Sequence, residues 1–328
     1  MTTTLSGAAR WHRPLMIFTG IMGVTAAVAL VGIFVDPRIL TGVPIWLKPF
    51  KFTVSLAVYG LTIAWMLSLL PRRSRIAEWA ATVLVAMGTI EMTVIVAQVI
   101  RGQTSHYNDT TPLNSALWSA MGMAITVLFT AHLVIAVVAT RQRIADRAAK
   151  YAIRLGLGLS LLGMAAAVPM VLPSQAPAGG ATGISGAHTV GLPDGGPGLP
   201  LVGWSTVGGD LRVGHFVGLH ALQALPLLAI ALHLLRNRLD EATRVRLLLV
   251  AGAGYAALTV SLTWQALRGQ SLVHPDALTL AVWGTLAVAT AAAGALVVRR
   301  RPAPVPVRAS EPARVPERQA DHIASGTC

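Results

Sequence analysis

The chain has 328 residues, 54% of them hydrophobic and only 12% charged, and the charges gather in clusters between long apolar runs. That pattern excludes an ordinary soluble globule and describes an all-α polytopic membrane protein. The formal charge of +13 does not point to nucleic acid, because the basic residues sit in short clusters beside apolar segments and no nucleic-acid motif accompanies them.

A bilayer core of about 30 Å needs about 20 apolar residues rising ~1.5 Å each. The first stretch of that kind runs from Leu15 to Val35, behind Arg10 and Arg13. It has the outline of a signal peptide, but its length and the later spans favour a retained anchor. The second span, Phe50 to Leu70, is entered through WLKPFKFTVS, and Lys48, Lys51, Ser55, Tyr59 and Thr62 recur at three- and four-residue steps as one polar stripe. Two of the chain's three lysines lie here, against 23 arginines, a bias that suits a site wanting a compact ammonium. Lys51, three residues deeper than Lys48, is the stronger ligand candidate, and snorkelling to headgroups is the alternative for both.

The third span, Ile76 to Ile100, carries Glu91 ten residues before Arg101, about 15 Å below the end of the helix and near the midplane. Gly88, Glu91, Ile95 and Gln98 share one face, which predicts a carboxyl turned into the bundle. Ionisable groups at that depth are functional candidates, with a structural hydrogen bond as the alternative. The span closes on QVIRGQTSH, with Arg101 and His106, and the fourth, Leu113 to Thr140, carries Asn114, Trp118 and His132. After the fifth, Tyr151 to Leu172, comes a Gly/Pro-rich connection over 173–212, expected to lack regular structure and to be disordered over 173–198, with Leu199 to Arg212 packing on the mouth of the bundle through Trp204.

The sixth span, Val213 to Leu235, opens with His215 and His220, about 140° apart at ~100° per residue, so the two do not point at one centre. The seventh, Val245 to Leu267, closes on QALRGQSLVH with Arg268 and His274, and the eighth runs from Ala277 to Val298. The tail over 302–328, ending in the single cysteine Cys328, has no apolar face and reads as disordered. No HxxxH, CxxC or P-loop spacing occurs, so neither a tight metal site nor coupling to ATP is indicated.

Counted on alternate sides, 20 Lys and Arg fall on the side of residues 1–14 and the tail, and six on the other. Positive charge marks the cytoplasm, so both termini are expected inside a plasma membrane, and the Ala-, Gly- and Arg-rich composition suggests a bacterial inner membrane. The two RGQ stretches each close an odd-numbered span, and Asn114 and Trp118 are echoed by Thr279 and Trp283 at the same spacing. Two four-helix repeats of like orientation, 15–140 and 151–299, are therefore expected.

With His215 or His220 opposite His274, this architecture resembles that of the haem A synthases. The resemblance implies histidines on the second, fourth, sixth and eighth spans ligating two haems, whereas the second span here carries Lys48 and Lys51 in place of a histidine. The expected function is a membrane protein of redox type with a polar cavity near the extracytoplasmic face, binding haem or a quinone, or another small hydrophobic or anionic ligand. Lys48, Lys51, Glu91, Arg101 and Arg268 are the ligand candidates, and His106, His215, His220 and His274 the cofactor candidates, with His220 and His274 as the preferred haem pair. A secondary transporter or lipid-handling protein, with Glu91 as the proton-coupled group, and a non-catalytic membrane subunit are the alternatives.

Overall fold

The computed structural model of the protein describes residues 11–172 and 183–300. Expectations for the first ten residues, for 173–182 and for the tail from 301 onward, Cys328 included, fall outside the described residues. The described chain forms eight helices: α1 (Arg13–Val35), α2 (Leu47–Ser68), α3 (Arg75–Ile100), α4 (Pro112–Arg141), α5 (Arg147–Ala165), α6 (Leu211–Leu234), α7 (Glu241–Leu267) and α8 (Ala277–Arg299). All eight are long and apolar enough to cross a membrane, the fifth with a 3-10 turn at Val168–Val171 added to its end.

The helix ends follow from capping. Every helix but α2 starts on a side chain that accepts from a backbone N–H of its first turn. Asp146 and Asp240 cap α5 and α7, which is why these begin at Arg147 and Glu241, a turn ahead of the apolar runs at Tyr151 and Val245. Hydropathy locates the apolar run, and the cap locates the helix.

Within the first four helices α1 packs on α2, α3 on α4, and α1 also on α3; in the second four, α5 packs on α6, α6 on α7, α7 on α8, and α5 also on α7. The two sets meet through α4 with α5 and through α2 with α6. The α5–α6 contact is the tightest, because Gly163 and Gly218 lie backbone to backbone and a Cβ on either would overlap the other helix. In hydrocarbon, where apolar side chains gain nothing by leaving lipid, such close approach is what holds helices together. Below it, a directed chain of bonds ties three helices. The Tyr59 hydroxyl on α2 donates to His132 Nδ1 on α4 at 2.7 Å, the other ring nitrogen meets Ser160 Oγ on α5 at 2.8 Å, and Ser160 donates to the Leu157 carbonyl at 2.9 Å. His132 is 0% exposed and fully satisfied, so it is a tie between the two sets of helices.

One end of the bundle holds the connections α1–α2, α3–α4, α5–α6 and α7–α8, and is here the corner end. Two short antiparallel ladders lie there, β1 (Ile39–Leu40) with β2 (Val43–Pro44), and β3 (Thr189–Val190) with β4 (Gly209–Asp210). The two RGQ corners are built alike. Gln98 donates to the Thr104 carbonyl at 3.1 Å and Gln265 to the Ser271 carbonyl at 2.8 Å; Arg101 donates to Asn114 Oδ1 and Arg268 to Thr279 Oγ1, both at 3.0 Å. Gly102 and Gly269 turn the chain at φ 68° and 72°, a left-handed backbone that favours glycine.

Residues 183–198 correct the expectation of disorder. Their backbone bonds Tyr107, Met170 and Leu211, and β3 pairs with β4. The Gly/Pro content lowers regular structure but leaves enough polar anchors to order the segment.

Replacing Gly218 by Ala is expected to cost about 1–3 kcal/mol by forcing α5 and α6 apart, read as a lower midpoint of unfolding in graded denaturing detergent. Gly122→Ala, whose Cβ meets nothing within 4 Å, should leave the midpoint in place.

Candidate functional site

The chemistry gathers under the corner end, where the start of α2, the middle of α3, the α3–α4 corner and the segment 183–212 converge. Glu91 is 3% exposed, and neither of its carboxyl oxygens has a hydrogen-bond partner. Lys48 lies within electrostatic reach of it, and of Asp194 and Arg212. Among the described residues the Lys48 ammonium makes no hydrogen bond and no ion pair; it stands over the ring of Phe52, 5.9 Å from its centre. A carboxyl and an ammonium thus share one region without meeting.

Beside them stands a cluster of rings. His106 lies 5.7 Å from Phe52, 5.5 Å from Trp118 and 6.3 Å from His188, centroid to centroid, and its Nδ1 is 3.1 Å from Ser105 Oγ. Tyr107 closes the cluster at 5.0 Å from both Trp118 and His188. Its backbone is left-handed, φ 57°, a conformation that costs an aromatic residue about 1–3 kcal/mol and that the surrounding rings must over-determine.

His188 is held by Asp194. The carboxylate lies 2.5 Å from His188 Nδ1 and also accepts from the His188 and Thr189 backbone N–H groups at 3.1 and 3.2 Å. Burial alone would raise the Asp194 carboxyl, but the His188 hydrogen bond, the Arg212 charge and the Thr189 backbone N–H outweigh it and hold it at about 2. Burial lowers His188 below its ordinary 6.5 against the pull of Asp194, and lowers His106 well below it with Lys48 adding to the effect. Both imidazoles are therefore neutral at neutral pH. An ionised Asp194 keeps the His188 proton on Nδ1 and leaves Nε2 as an acceptor.

The remaining cations serve the loop. Arg212 forms a bidentate pair with Asp210, 2.6 and 2.9 Å, and also donates to the Gly203 carbonyl at 2.6 Å. Asp210, 1% exposed, accepts from Ser205 N as well, and Lys51 donates to the Val202 carbonyl at 2.9 Å. The segment expected to pack through Trp204 is thus pinned by its backbone at 202–203, with the Trp204 ring half-buried. Of the two lysines, Lys51 is engaged with this loop and Lys48 is the one left beside Glu91.

Arg101 and Arg268 are exposed and close their corners; Arg268 also pairs with Asp276 at 2.6 Å and stacks over Trp264 at 4.7 Å. His215 bonds the Gly163 carbonyl at 2.8 Å in the α5–α6 contact. His220 is bonded to Gln223, nine residues into α6, whereas His274 bonds the Thr206 carbonyl at the rim. The two differ in depth by about 14 Å, while nitrogens on one metal stand about 4 Å apart. As an axial haem pair, His220 and His274 do not fit. Among the described residues no three His, Cys, Asp or Glu side chains group as a metal site.

His188, Asp194 and Asp210 were missed in the sequence because they lie in a segment without periodicity. The one available signal was a histidine followed by an aspartate six residues on in a Gly-rich loop. Compared with known family models, with curated proteins and with solved structures, the chain matches none.

Two consequences are measurable. Because His106 and His188 are lowered in the folded state, acidification from pH 7.5 to 5.5 makes the unfolded chain the better proton acceptor, so stability is full above about 6.5 and falls as pH drops through that value. A thermal midpoint in detergent that is lower at pH 5.5, and less so in His106→Gln, is expected. Asp194→Asn should cost about 1.5–3 kcal/mol through the lost charged bonds and speed amide exchange over 183–212.

Proposed function

We propose that this integral membrane protein binds a small, flat, oxygen-bearing ligand of the quinone class between Lys48 and Glu91. The observation that carries the reading is the Glu91 carboxyl, buried with both oxygens partnerless beside an ammonium that is equally without a hydrogen bond. Leaving such a group unsatisfied in an apolar bundle is costly, and an ionisable group at that depth is a functional candidate by default. A ring with an oxygen at each end relieves both, accepting from Lys48 at one end and donating a hydroxyl to Glu91 at the other. That polarity favours the hydroxyl-bearing quinol over the dione. The rings of Phe52, Trp118 and His106 supply the flat apolar wall that such sites use.

In this reading the corner end is extracytoplasmic and both termini are cytoplasmic, supported by the placement of 20 of the 26 Lys and Arg on the terminal side. The matched RGQ corners support descent of the two four-helix sets from one duplicated unit. A proton-coupled carrier is the second reading, favoured by the same partnerless carboxyl, and it predicts substrate uptake into proteoliposomes that Glu91→Gln uncouples from the proton gradient.

For the protein in lipid nanodiscs, short-chain quinol should quench tryptophan fluorescence saturably and more tightly than the matching quinone. Glu91→Gln and Lys48→Gln are each expected to weaken quinol binding at least tenfold, while Arg101→Gln leaves it unchanged. Absence of saturable quenching, or wild-type affinity in Glu91→Gln, overturns the reading.

A further inference from the structure

His220 is an exposed imidazole at membrane depth. It lies nine residues into α6, about 14 Å from the corner end, where a polar ring facing hydrocarbon has no water to bond. Its Nδ1 is 3.3 Å from Gln223 Oε1, and Gln223 donates to Thr62 Oγ1 on α2 at 3.1 Å. Among the described residues that is the one hydrogen bond joining α2 to α6, so the polar patch sits on the seam between the two four-helix sets. Ser55, one stripe position toward the corner end from Tyr59, is half-buried on the α2 side of the bundle and makes no hydrogen bond among the described residues.

At the corner end, His188 of the covering segment and Glu91 of α3 both lie within electrostatic reach of Lys48. His12, His132 and His215, by contrast with the exposed His220, are bonded to carbonyls or hydroxyls of neighbouring helices.

We propose that the α2–α6 seam is a lateral doorway through which a bilayer-dissolved ligand of the quinone class enters, its ring oxygens handed along by Thr62, Gln223 and His220. This rests on the reading of Lys48 and Glu91 as the binding site. A ligand whose tail stays in lipid needs a side entrance, because an end-on path from the corner end is covered by 183–212, which Lys51 and Arg212 hold down by its carbonyls.

The test uses the full chain in nanodiscs with Cys328→Ser, Thr62→Cys and Gln223→Cys, bridged or left unbridged by a short thiol-reactive cross-linker. Bridging is expected to slow uptake of a long-tailed quinol at least tenfold, read as the rate of tryptophan quenching. His220→Leu should slow it as well, while the equilibrium affinity for a short-chain quinol stays within twofold of the wild type. Uptake of the long-tailed quinol at the unbridged rate overturns the doorway while leaving the site intact. Failure of the site itself reads differently, since the unbridged protein then binds neither ligand, and the doorway falls with it.

Discussion

Polar groups placed among apolar helices must find partners within the chain, because hydrocarbon offers none. The structure meets this demand repeatedly. Thr25, Thr62, Thr89, Thr93, Thr126 and Thr130 turn their hydroxyls back onto carbonyls of their own helices. Tyr59, His132 and Ser160 satisfy one another across three helices, and Gln98 with Asn114 and Arg101 fills one corner as Gln265, Ser271 and Thr279 fill the other. Against that background a carboxyl with two bare oxygens is an exception. Other unpartnered atoms exist, but they are single hydroxyls or ring and guanidinium nitrogens, each a smaller debt than a carboxyl.

The same demand explains how the segment over the corner end is ordered. Gly and Pro deprive it of a regular ladder, so its carbonyls and N–H groups need side chains. Asp194 collects the N–H groups at 188–189, Asp210 those at 205 and 212, and Lys51 and Arg212 take the carbonyls at 202 and 203. Each anchor is a charged residue bonded to backbone, a stronger bond than a neutral pair. The charge at this end therefore does two jobs: most of it holds the lid of the bundle, and what remains, Lys48 with Glu91, faces the interior.

Much of the architecture was legible as a string of residues. The eight apolar runs located the helices to within a turn, since the length of a membrane span is a property of the run itself. The RGQ pair announced two corners of one design, because a Gln, an Arg and a left-handed Gly at fixed spacing make their bonds locally. Glu91 stood out for its type and depth alone. What helical spacing could not supply was the partner of any polar side chain, since that depends on a second helix or loop remote in the chain. Lys51 looked the better ligand for being deeper, yet its neighbour proved to be a carbonyl 151 residues away.

By itself, then, the chain determined how many helices form, where they begin and end, and which ionisable group lies at mid-depth, all of which follow from local hydropathy, capping and the rise per residue. Only the tertiary structure decided that His106, His188 and Asp194 gather near Lys48 and that Lys48 lies near Glu91, that Arg101 and Arg268 close their corners, and that His220 stands at a seam. Those outcomes depend on which elements pack together, and the energy of a buried charge is set by what packs against it.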